Sequence, residues 1–235
     1  MKSVHGLTGV VLLLSVGGCS VMVDAGPTLT ATEQVDAGGA ESVQAEVRMG
    51  AGQLHLEGGA AKLMNGTFRY SESVGRPSVQ YDVAGAHGRL TVASPKNSSS
   101  MGKTVNEWDV QMGSSVPLDM TVSLGAGESN LDMSQLPLRS AEVNMGAGEM
   151  VLNVSGKYNG DVTVRVNGGV GEARIRLPKG VGAVVDAAGG IGSISANGLT
   201  KRDGKYYNDA YAEGKPAVRM VVKGGVGDII LSVGE

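Results

Sequence analysis

The chain has 235 residues, 38 of them glycine; 41% are hydrophobic, only 3% are aromatic, and the formal charge is −3. Apolar residues are too plentiful and too regularly placed for a disordered chain. Scattered Lys and Arg on a net negative background give no basic track for nucleic acid. These numbers describe a β-rich domain with a thin core of small and medium side chains and frequent tight turns.

Chain order begins with MKSVHGLTGVVLLLSVGGCS. Lys2 forms a short positive region, and Val10 to Val16 form an apolar run too short to cross a bilayer. The run ends in Val16-Gly17-Gly18-Cys19, which resembles a bacterial lipobox, so residues 1–18 are expected to be a lipoprotein signal peptide. Cys19 is the sole cysteine, which rules out a disulfide within the chain and suits a thiol reserved for lipid. Two or three acyl chains, at about 0.8 kcal/mol per buried methylene, make a stable anchor. An ordinary secretory leader or a short signal anchor is the alternative. By resemblance to Gram-negative lipoproteins, Ser20 in the place where Asp would cause retention at the inner membrane points to the outer membrane if the cell has two. Residues 19–27 then read as a lipidated tether, and residues 28–235 as the folded domain.

That domain repeats one phrase. VRMGAGQLHL, VSLGAGESNL, VNMGAGEMVL and VKGGVGDIIL align on a Gly-x-Gly, and further copies centre on Val170 and Ile191. Three places before the turn stand Val47, Val122, Val143, Val166, Ala187 and Val222. After it, Leu54 and Leu56, Met150 and Leu152, Ala173 and Ile175, and Ile229 and Leu231 alternate with Gln53 and His55, Glu128 and Asn130, and Glu172 and Arg174. A period of two predicts strands with one buried face. The middle copies recur every 21 or 23 residues, a spacing that predicts a β-solenoid-like stack of coils roughly 21 residues long. Glycines would occupy corners where φ turns positive or neighbouring backbones meet. Unrelated hairpin turns in a sandwich are the alternative. A phosphate loop is not, since no helix and no Gly-Lys-Ser/Thr follows.

On this reading the 75 residues between the first and second turns hold about three degenerate coils, LTV at Leu90 and EWDVQM from Glu107 among them. The stretch LTKRDGKYYNDAYAEGKP is an insertion that accounts for the longer gap before the last copy. It concentrates Tyr206, Tyr207 and Tyr211, which either bind a sugar or protein partner or cap the last coils.

The copies VRMGAGQLHLEGGA and AEVNMGAGEMVLNVSG, with the ending VRMVVKGGVGDIILS, resemble the toast-rack family from about Thr28 to Glu235. This group includes adhesin-type domains of bacterial surfaces and the C-terminal domain of LiaF-type cell-wall-stress proteins. The resemblance implies an all-β fold: a right-handed, solenoid-like stack forming a single elongated domain in the cell envelope. It implies no catalytic residues. The chain lacks the multi-pass membrane segment of LiaF-type proteins, so a sensor-kinase role does not carry over.

Chemistry is sparse. His55 and His87 lie 32 residues apart without cysteine partners or an HExxH spacing, so both read as surface histidines and not zinc ligands. No GxSxG elbow occurs. Directly after successive turns come Glu128, Glu149 and Glu172, which stacked coils would align into a carboxylate ladder. Such a ladder suits calcium or an acid–base pair, but carboxylates about 4.8 Å apart in water repel by only about 1 kcal/mol, so it is also tolerable empty. No cofactor is expected. The sequence reads as a lipid-anchored, non-enzymatic envelope protein that meets wall polysaccharide or envelope proteins. The alternatives are a β-helical polysaccharide lyase or hydrolase, and a structural protein that stacks end to end through an uncapped final coil at Ile229 to Val233.

Overall fold

The computed structural model describes residues 26–96 and 104–234. The expected leader, Cys19 and most of the expected tether lie outside these described residues. Within them the fold is all-β. Strands β1 (Thr28–Val35), β2 (Ser42–Ala60), β3 (Met64–Ser71), β4 (Ser78–Ala84), β5 (His87–Ala93), β6 (Asn106–Gly113) and β7 (Leu118–Asp132) come first. Then follow β8 (Leu138–Asn153), β9 (Val162–Leu177), β10 (Gly182–Ala188), β11 (Ile194–Asn197), β12 (Thr200–Arg202), β13 (Lys205–Tyr207), β14 (Ala217–Lys223) and β15 (Ile229–Val233). All fifteen belong to one open sheet.

The four long strands β2, β7, β8 and β9 lie parallel and in register, and each passes through its Gly-x-Gly without ending. The turn divides each into two limbs. Inward residues of both limbs, such as Val143 and Met145 before the turn and Met150 and Leu152 after it, enter a single core. The alternation read from the sequence is therefore the burial pattern observed. Each such aliphatic side chain contributes about 1.5–3 kcal/mol by leaving water.

The turn glycines have two separate reasons to lack a side chain. The second glycine of every turn has positive φ, from 126° at Gly148 to 142° at Gly52 and Gly192. A Cβ on Gly148 would also lie 1.9 Å from the carbonyl oxygen of Gly127. At the first glycine the reason is space alone, and it holds at every turn but the β2 one: a Cβ on Gly146 would lie 2.3 Å from the carbonyl oxygen of Gly125, whereas one on Gly50 would meet nothing within 4 Å. Two glycine columns thus let successive backbones bend together at sheet spacing.

Stacking order departs from chain order at both ends. β2 pairs directly with β7, so the intervening residues do not form three coils between them. Instead β5 continues the first limb beyond β2, and β6 continues the second. LTV and EWDVQM thus supply two halves of one outer level. Antiparallel strands finish that end, β4 on β5 and β3 then β1 on β6. Phe68 and Trp108 meet edge-to-face beneath it, with centroids 5.5 Å apart, filling space that the aliphatic levels elsewhere fill.

At the other end, β14 and β15 occupy the level next to β9, while β10 and β11, which precede them in sequence, lie outside them. The final copy is therefore interior. The expected uncapped coil at Ile229 to Val233 is covered on both edges, and the open edge of the second limb is β11. The insertion has a definite place: β13 pairs with β10, and β12 with β13. Asn208 pins it. Its side chain donates to the carbonyls of Pro178 and Val181 and accepts from the Ala183 amide, at 2.7–2.8 Å.

The residue before the turn changes from buried Met49, Leu124 and Met145 to Gly168, Gly224 and Gly189. The Ile229 side chain takes up the vacated room, its Cδ1 3.0 Å from where a Gly224 Cβ would be. The cross-section therefore changes along the stack.

Candidate binding surfaces

Outward residues of the second limb form rows across the levels. The first row past the turn runs Gln53, Glu128, Glu149, Glu172, Asp228, Ser193. Glu128, Glu149 and Glu172 are thus consecutive register partners. Gln53 Nε2 donates to Glu128 at 3.3 Å, and Glu172 pairs with Arg174 at 2.6 Å. No group of three or more His, Cys, Asp or Glu side chains placed to hold a metal ion occurs among the described residues. At the end of the row, the Ser193 hydroxyl and amide both donate to Asp228, at 2.7 and 2.9 Å. These bonds hold the Asp228 carboxyl below its usual range.

Over the first levels this face forms an open recess of about 480 Å³, lined by Gln53, His55, Asp109, Glu128, Asn130 and Glu149. Arg69 and Glu107 form an ion pair at its rim. His55 faces outward, as expected, and lies 3.4 Å from Glu57. The lining is rich in hydrogen-bond acceptors and carries excess negative charge. It suits hydroxyl-rich or cationic groups, which would satisfy carboxylates directly.

The outward face of the first limb carries a second recess of about 500 Å³, whose lining includes Ser42, Asp82, His87, Arg89 and Arg139. Ser42 is buried, and its Oγ lies 2.9 Å from His87 Nδ1. His87 is exposed, as the sequence suggested, but it is paired with the buried Ser42. The two residues are 45 apart in sequence, and no local motif marks them; only the pairing of β5 with the front of β2 brings them together.

The three insertion tyrosines separate. Tyr206 is buried, in register with Val185; it caps the core and is withdrawn from the expected binding set. Tyr207 and Tyr211 stay at the surface, edge-to-face with centroids 4.9 Å apart, and the Arg202 guanidinium lies 4.4 Å from the Tyr207 ring centre. Tyr207 and Tyr211 therefore remain the aromatic candidates.

Where the second limb ends, side chains replace ladder bonds. Asp132 accepts from the Ser134 amide and hydroxyl and from Asn153 Nδ2, at 2.6–3.2 Å. Burial works to raise its carboxyl, but these hydrogen bonds and the Arg176 charge outweigh it and hold it below the usual range. Burial pushes the neighbouring Tyr158 hydroxyl up to about 12, opposed by a hydrogen bond with the Gly156 backbone and assisted by the Asp132 charge.

Residues 24–176 match the family described as the N-terminal domain of toast_rack. The chain belongs to the toast-rack family. A solved toast-rack relative, a candidate cell adhesion protein of Clostridium sporogenes, is 33% identical. The comparison covers 88% of this chain and all of that one, with a TM-score of 0.85. Two others superpose too loosely to support an argument. A candidate adhesin of Parabacteroides merdae is 12% identical over 89% of this chain and 97% of that one, with a TM-score of 0.30. A candidate lipid-binding protein of Parabacteroides distasonis is 12% identical over 89% and 98%, with a TM-score of 0.25. No curated protein sequence matches. No helix among the described residues is long and apolar enough to cross a membrane.

Proposed function

We propose that this toast-rack protein is a lipid-anchored, non-enzymatic component of the bacterial cell envelope. It presents the outward face of a solenoid-like stack to wall polysaccharide or to an envelope protein. The recess of about 480 Å³ on the second limb carries the proposal. It spans several levels, so it suits an extended ligand, and its lining offers hydrogen-bonding groups in rows. The likeness to the Clostridium sporogenes protein supports an adhesive role. Cys19 supplies the anchor, and Ser20 directs it to the outer membrane where the cell has two.

The test is binding of the labelled mature chain to purified cell-wall sacculi and to detergent-solubilised envelopes. The double variant H55A/N130A alters the recess without touching the core, and is expected to bind about tenfold more weakly. Equal binding by variant and parent overturns the assignment of the recess. Unsaturated products from acidic polysaccharides incubated with the parent would overturn the non-enzymatic reading.

A further inference from the structure

Between the two glycine columns, each turn carries one outward residue. In stacking order these are Ala51, Ala126, Ala147, Val170, Val226 and Ile191. The three alanines give way to aliphatics that stand clear of the surface: Val170 is 57% exposed, Val226 46% and Ile191 74%. No other exposed large hydrophobic among the described residues exceeds 41%. They are register neighbours, with glycine on both sides, so nothing shields them laterally.

The same line leads to the chain's point of entry. Leu29 aligns with Tyr70, Tyr70 with Asn106, and Glu107 with Gln53. Asn106 Nδ2 donates to the Ala51 carbonyl at 2.6 Å. Thr28 therefore enters the sheet at the turn edge, six strand steps from Val170, or roughly 29 Å at sheet spacing. The segment from Cys19 to Thr28 reaches at most roughly 30 Å. Leu29, 39% exposed, begins the same edge.

We propose that the turn edge lies against the bilayer, with Val170, Val226 and Ile191 seated among the lipid headgroups. This rests on the anchor reading of Cys19, which places a lipid at one end of the edge while the aliphatic ridge marks the other. Three side chains bind a bilayer weakly alone, but an anchor converts contact into an intramolecular event at high effective concentration. Glu149, Glu172 and Asp228 flank the ridge on one limb, and Asn144, Asn167 and Lys223 on the other. The carboxylate side selects for headgroups bearing an ammonium, so the partner is a surface rich in phosphatidylethanolamine. Lying on this edge, the protein turns the outward faces of both limbs sideways, accessible to polymer.

Acylation of Cys19 leaves no other thiol in the chain, so one introduced cysteine carries a polarity-sensitive fluorophore without ambiguity. I191C and K157C, the latter on an exposed return segment, are prepared as mature acylated protein in phosphatidylethanolamine–phosphatidylcholine vesicles. The Ile191 site is expected to shift to the blue and to lose about threefold of its accessibility to aqueous iodide, while the Lys157 site stays unchanged. Equal exposure at both sites in acylated protein overturns the edge-on arrangement alone. Mass spectrometry showing Cys19 unmodified removes the anchor and the arrangement with it. Shielding of Ile191 that grows with protein concentration in detergent, without vesicles, makes the ridge a contact between copies and also overturns it.

Discussion

Gly171 lies directly over Gly148, and a Cβ on Gly171 would stand 1.7 Å from the Gly148 carbonyl oxygen. The bend of the whole stack depends on this column, because each member both adopts positive φ and receives its neighbour's carbonyl where a side chain would be.

G148A is therefore expected to lose at least about 3 kcal/mol, the clash adding to the cost of a left-handed alanine. A147V, one residue earlier, should be neutral within about 0.5 kcal/mol, because that side chain points to solvent and valine already fills the equivalent place at Val170. Urea unfolding of the two variants checks both.

Trp108 gives the readout. It is the chain's single tryptophan and is buried against Phe68, with Nε1 donating to Asn106 at 2.8 Å. Its emission should be blue-shifted in the native state and move to the red on unfolding. W108F keeps an aromatic ring but leaves Asn106 Oδ1 without its indole donor, and is expected to cost about 1–3 kcal/mol in urea unfolding followed by circular dichroism, since that variant has no tryptophan to report.

At acid pH, Asp132 controls part of the stability. Its folded carboxyl lies below the unfolded value of about 3.9, so its contribution is complete above that value. It is lost as pH falls through the folded one. D132N should flatten the acid limb of a stability–pH curve below about pH 4 and lower the plateau at pH 7.

At alkaline pH the sign reverses. The Tyr158 hydroxyl stays protonated to about 12, against about 10 when unfolded, so its contribution is intact below pH 10. It is lost as pH rises through about 12, a change of about 2–3 kcal/mol. Y158F should remove that alkaline loss, as followed by urea midpoints between pH 9 and 12.

Glu149 has a glutamate as register partner on each side. E149Q is expected to raise stability by up to about 1 kcal/mol at low salt and by nothing measurable at 1 M. A chelator should leave the melting temperature of the parent unchanged. A fall on chelation, restored by calcium, would instead assign the ladder an ion.

Local features were legible in the sequence and long-range ones were not. The inward setting of Val143 and Leu152 and the glycine at 148 follow from a two-residue period interrupted by a turn, all within ten positions. Which level neighbours which depends on how strand edges compete, and nothing near Ile229 says that its segment pairs with β9 while β11 is held outside. The sequence left Tyr206, Tyr207 and Tyr211 open between binding and capping, and only the hairpin folding over Val185 makes Tyr206 a cap and leaves the other two at the surface. Ser42 and His87 are ordinary polar residues until β5 lines up with β2. The turn edge was half visible: Val170, Ile191 and Val226 were aligned with Ala51, but only the stack shows them adjoining on the line where the chain enters.

The late return of β14 and β15 has a consequence for synthesis. When residue 216 has left the ribosome, the outermost ply exists but the ply that joins it to the rest does not. The C-terminal quarter therefore cannot assemble in the order of its translation, and β10 with β11 must wait for the final seventeen or so residues to slot in between. A protein truncated there would not be one repeat shorter. It would carry an outer ply orphaned from β9, with the level that joins them missing.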